Sequence, residues 1–113
     1  VLCRSEYEWA AHSRLGRRAR MTDADVDRIV AGPESGGGDP LETAMLRATE
    51  ELYRDDVILT ETWAALTNGL DSKQLLDHLI AVGGYRAVSM AINSAGVQLD
   101  ANMADFRFPP SLR

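Results

Sequence analysis

Apolar residues recur along this chain at helical rather than strand spacing. Leu41, Ala44, Met45, Ala48 and Leu52 fall three or four positions apart, which lines them up on one stripe of an α-helix. Asp39 is suited to cap that helix, and Pro40 fits its first turn, where no backbone N–H is needed. A longer segment begins after Asp71 and ends near Ala95, before Gly96. From Leu75 to Ala91 it is apolar on most sides, the pattern of a central helix or one buried at an interface. Residues 2–18 hold no proline and only Gly16 as a breaker, so they predict a further helix of several turns.

Two short helices complete the pattern. In MTDADVDRIVAGP, Thr22 is the N-cap, Asp25 its reciprocal partner three residues on, and Gly32-Pro33 the stop. A second short helix is expected over 60–66, capped by Thr60 and closed by Asn68-Gly69. GPESGGGDP between the helices reads as a flexible linker, and the tail over 97–113, with its paired prolines, as an extended arm. YRDDVILT contains a short β-branched run, but no convincing strand pattern or internal repeat emerges. The expectation is one all-α domain over 1–113, long enough for a modest core. Its opening valine falls inside a helical pattern, so residues upstream are expected to be missing.

Composition narrows the function classes. Apolar residues make up 45% and charged residues 26%, ordinary for a globular protein. A net charge of −5, with RRAR at Arg17 to Arg20 as the only basic cluster, argues against nucleic acid as a partner. That cluster fits the C-terminal end of a helix, where cations are favoured by the dipole. The single cysteine, Cys3, excludes an internal disulfide framework and fits a reducing compartment, so a cytoplasmic location is expected. No apolar run approaches the roughly 20 residues of a membrane span, and no secretory signal is visible, so no membrane partner is expected.

Candidate chemistry sits in the first helix. Ser5, Glu8 and His12 are spaced three and four apart and share one helical face. On a wheel they fall within the arc marked by Val1, Leu2, Trp9 and Leu15, while Cys3, Tyr7, Ala10 and Arg14 lie opposite. The trio therefore points toward the expected core, where a lone carboxylate must find a partner or a proton. Glu8 and His12 can form a solvated pair, or a carboxylate–imidazole dyad in an apolar pocket with Ser5 as hydrogen-bond donor. A metal site is the third option, but one helix offers only two ligands, and His78 is the only other histidine. Neither a metal nor another cofactor is expected.

SEYEWAAH, TDADVDRIVAGP, LETAMLRATEEL, TWAAL and LIAVGGYRAVSMAINSAGVQLD together resemble the carboxymuconolactone decarboxylase family, which includes the alkyl hydroperoxidase D-like proteins. The likeness runs in order over residues 2–100; Tyr-Glu-Trp-x-x-His and Tyr-x(7)-Asn-x-x-Gly are its most specific pieces. It implies an all-α bundle assembled into homo-oligomers, trimers or hexamers, with a pocket beside the helix that carries the histidine. The family's redox branch has Cys-x-x-Cys-x-x-x-His on this helix. His12 matches the histidine, but Ser5 and Glu8 stand at the cysteine positions, so the thiols of a peroxidase cycle are absent.

The likeness then implies the decarboxylase-type branch, a carboxy-lyase of aromatic catabolism. A small-molecule carboxylate or lactone would be the substrate, and Glu8, His12 and Ser5 the catalytic residues. A non-catalytic binding or structural oligomer is the alternative reading of the same trio. On the last helix, Arg86 and Asn93 fall on the stripe of Leu75, Leu79, Val82 and Met90. Arg86 is a candidate clamp for a substrate carboxylate, or else pairs with an acidic side chain across a subunit interface. Tyr85 either places its hydroxyl in the pocket or packs. Gly83-Gly84 costs helix stability, which close approach of a second helix or a ligand normally offsets. Trp9 and Trp63 are expected in the core, and Tyr7 at a contact between protomers.

Overall fold

The computed structural model describes residues 1–109 of the 113. The chain is all-helical, with no strand among the described residues. In order it forms α1 (Glu6–Arg18), α2 (Asp23–Ala31), a 3-10 turn (Pro33–Ser35), α3 (Pro40–Asp55), α4 (Thr60–Thr67), α5 (Ser72–Ala95) and a 3-10 helix (Ala101–Phe106). Residues 110–113, the end of the expected arm, lie outside the described residues.

Helix starts follow local side-chain chemistry. Thr22 Oγ1 accepts from the Asp25 amide at 3.3 Å, and Asp25 Oδ2 accepts from the Thr22 amide at 2.8 Å. Asp39 Oδ1 takes the amides of Leu41 and Glu42 at the head of α3. Asp71 and Gln74 form the same reciprocal box at α5, and Gly96, in the left-handed region at φ 63°, ends that helix.

Several expectations change. First, α1 begins at Glu6 rather than at residue 2, because Arg4 adopts φ 48° and its amide bonds to Val1 O in a tight turn. Second, the cap of α4 is Leu59, whose amide donates to Glu51 Oε2 on α3 at 2.9 Å; Thr60 is already helical. Glu51 is buried, and its other oxygen accepts from Thr62 Oγ1 at 2.7 Å. Third, the linker is partly ordered: Pro33 is buried in a 3-10 turn, and Glu34 pairs with Arg47. Fourth, the C-terminal segment folds back instead of extending. Its 3-10 helix packs on α1, Met103 and Phe108 are buried, and Phe108 lies 5.7 Å from the Trp9 ring. The α1 face with Ala10 is thereby covered, and Ala10 is fully buried.

The central cluster is small: Ala44, Ala48, Leu66 and Leu75, ringed by Leu41, Met45, Ile58 and Leu70. Trp63, expected there, is 43% exposed. Within one chain α5 is not a buried central helix either, since Leu76, Ile80, Val88 and Met90 are all exposed. Among the described residues, no heavy atom comes within contact of a Cβ placed on Gly83 or Gly84, so none of them makes use of those glycines. The surface area is 7504 Å², against roughly 6,100 Å² for a compact monomer of this mass. The radius of gyration is 14.6 Å, against about 13 Å for a compact domain of this length. Against the expectation that no apolar run approaches a membrane span, α5 is, alone among the described residues, long and apolar enough to cross a membrane, and little of it is buried in the chain.

Candidate functional site

Two contacts orient α1 against α5. His12 meets the Tyr85 ring edge-on at 4.8 Å, and Asn93 Nδ2 donates to Cys3 O at 3.0 Å. Moving forward along the first segment therefore means moving back along α5, an antiparallel arrangement. Between them, with α2 and α3 as the remaining walls, lies a mostly apolar cavity of about 590 Å³. Ser5, Glu8 and His12 all line it, which brings the candidate trio together on one wall.

Geometry sets the state of the imidazole. His12 Nδ1 lies 2.9 Å from the main-chain oxygen of Glu8 and 3.3 Å from its Oε2. A carbonyl oxygen only accepts, so Nδ1 carries the proton and the lone pair of the neutral ring sits on Nε2. The Glu8 side chain is 18% exposed and that of His12 45%, which puts the carboxylate under the ring and the ring at the cavity mouth. Ser5 is buried, and its hydroxyl has no hydrogen-bond partner among the described residues even though it occupies the N-cap position. An unpaired buried hydroxyl costs on the order of 1–3 kcal/mol, and a bound polar group could take up that hydrogen bond.

The remaining sequence candidates divide. Tyr85 lines the cavity against His12. Arg86 also lines it, but its guanidinium donates to Asp56 Oδ1 at 2.7 Å and lies over the Tyr53 ring. Its acidic partner is thus in the same chain, and a substrate carboxylate would have to compete with Asp56. Asn93 is separated from the trio: it donates to Cys3 O and lines a second hollow of about 410 Å³, together with half-buried Tyr7. Cys3 lies on the large cavity rather than on the far side, because residue 3 precedes α1 and the wheel does not apply to it. It remains a single thiol. Among the described residues, no three His, Cys, Asp or Glu side chains stand together as metal ligands.

The sequence reading gave no role to His78. It lines the same cavity, and its buried Nε2 has no hydrogen-bond partner among the described residues. Burial pushes its pKa below the usual 6.5, so the neutral ring is favoured in the fold. The available signal was its place on the α5 stripe, four residues before Val82 and seven before Tyr85.

This depression has a sign. Its contribution to stability is complete above pH 6.5 and is lost as the pH falls from there through the lower folded-state value, because the unfolded chain takes up the proton first. His78→Gln should flatten that part of the profile. Thermal unfolding midpoints of both proteins between pH 8 and pH 5 check this; parallel curves would show that His78 does not contribute.

In comparisons with known proteins, the chain matches no protein-family model, no curated protein and no solved structure.

Proposed function

We propose that this chain is a carboxymuconolactone decarboxylase-like protein of the branch without redox cysteines. In this reading it is a cytoplasmic, cofactor-independent acid/base catalyst acting on a small carboxylate or lactone. The observation that carries the reading is the Glu8–His12 pair at the mouth of a mostly apolar cavity, beside the unpartnered Ser5 hydroxyl. His12 Nε2 moves the proton, and the Glu8 carboxylate stabilises the imidazolium that results. Ser5 donates to a substrate carbonyl or carboxylate. In a decarboxylation Nε2 takes the proton of the substrate's carboxylic acid, the carbon–carbon bond breaks with release of carbon dioxide, its electron pair enters the adjacent unsaturated lactone, and the imidazolium returns that proton to carbon.

The experiment is direct: release of carbon dioxide from a panel of small unsaturated lactone acids, without added cofactor. Binding of panel members with no turnover would favour the second reading, a non-catalytic binding or structural oligomer. The 45% exposure of His12, which leaves the ring open to water, favours that reading. A peroxidase cycle has no thiol pair to run on.

The same reading has copies assemble through α5. The chain's surface exceeds that of a compact monomer by roughly 1,400 Å²; a standard interface takes about 800 Å² from each partner. Gly83 and Gly84 leave room for a helix to approach closely. Ile80→Asp, at a position 67% exposed, should convert a trimer or hexamer to monomer in sedimentation velocity with helicity kept. A monomeric wild type would overturn this assembly, and a wild type that sediments as a monomer only in detergent would point to lipid on α5 instead.

A further inference from the structure

The cavity has a shape that the acid/base pair alone does not explain. On α5 its wall is made by His78, Ala81, Val82, Tyr85, Arg86 and Ser89, an unbroken stripe whose members succeed one another by alternating three- and one-residue steps. At 1.5 Å per residue that stripe is about 16 Å long, so the cavity is a trough running along the helix. The Glu8–His12 pair meets it at Tyr85. His78 lies seven residues back toward the start of α5, about 10 Å along the axis. Ala81 and Val82 fill the interval on that wall, with Leu46 on α3 across the cavity.

The two ends differ in character. At the His12 end a ring near solvent is backed by a carboxylate. At the other, the Nε2 of His78 is buried and finds, among the described residues, neither a hydrogen-bond partner nor an ion pair to hold a charge. A buried ring nitrogen of this kind is satisfied by a neutral donor or acceptor.

We infer that the ligand of this trough is elongated: an apolar body along α5, its reacting polar group at His12, and an uncharged hydroxyl or carbonyl at its far end on His78. The inference rests on reading the cavity as a small-molecule site and adds the ligand's length and second polar group. A small compact lactone acid would fill only the His12 end.

The test compares octanoate with 8-hydroxyoctanoate, and butanoate with 4-hydroxybutanoate. Binding is read from Trp9, which lines the cavity, in a Trp63→Phe background. The terminal hydroxyl should strengthen binding of the eight-carbon acid about tenfold, one net buried hydrogen bond, and leave the four-carbon acid unchanged. His78→Leu should erase the gain, and His78→Asn should restore part of it. In the wild type, the His78 ring signals in a proton–nitrogen spectrum should move on adding 8-hydroxyoctanoate, a readout that needs no variant to fold. Equal affinity for the two eight-carbon acids, a gain that survives His78→Leu, or an unmoved His78 ring would each overturn the inference. Turnover measured beside binding in the wild type separates it from the catalytic reading. Selectivity for the hydroxylated acid without any turnover in wild type retains the trough and removes catalysis; turnover of compact lactones without that selectivity does the reverse.

Discussion

Glu8→Gln and His12→Ala are each expected to lower turnover by about 100-fold or more, the range typical of a positioned acid/base group. The two changes should not add. Glu8 acts by holding and stabilising the His12 ring through the contacts at 2.9 and 3.3 Å, so a chain without the imidazole has nothing for the carboxylate to assist. Glutamine keeps the length of the side chain and leaves the main-chain oxygen of Glu8 in place, so the ring keeps its tautomer and loses only its counter-charge. Initial rates of the single and double variants, with sedimentation and circular dichroism to show intact assembly, give the cycle. Wild-type rates in either single variant would remove the pair from the mechanism.

Glu51→Ala should destabilise the fold by about 3 kcal/mol, since two donors, one on a buried side chain, lose their acceptor at a cost of roughly 1–3 kcal/mol each. The Leu59 amide and the Thr62 hydroxyl both point at this carboxylate, which joins α3 to the start of α4. Against a total of about 5–15 kcal/mol for a domain, the loss is a large share. Glu51→Gln retains one acceptor oxygen and should cost less, about 1 kcal/mol. Urea unfolding of the three proteins measures both values, and a change below a few tenths for Glu51→Ala would contradict the capping role.

What could be read from the sequence was what is local. Thr22, Asp39 and Asp71 cap their own helices within three residues, so the starts of α2, α3 and α5 follow from short stretches. The cap of α4 comes from Glu51, eight residues upstream on a different helix, and the sequence pointed to Thr60 instead. Likewise Glu8 and His12 are one turn apart and were visible as a pair. His78 was not, because its significance is the burial that α1, α2 and α3 impose around it. Arg86 was read as a free clamp or an inter-subunit partner, but its partner Asp56 stands thirty residues away at the left-handed end of α3. Trp63, expected in the core, is left at the surface by a chain with so small a central cluster.

The 3-10 helix on α1 ties the two ends of the chain together. Phe108 against Trp9, and Asn93 against Cys3 at a separation of ninety residues, are among the longest-range contacts available to a chain of this length. Contacts of such high order form late, after the loop they close has been drawn in. During synthesis α3, α4 and the start of α5 can associate as soon as they leave the ribosome, whereas the helix bearing Glu8 and His12 must wait for Met103 and Phe108 to emerge. A nascent chain halted short of residue 108 would carry the proton-transfer pair on a helix that lacks its packing against the 3-10 helix and Phe108.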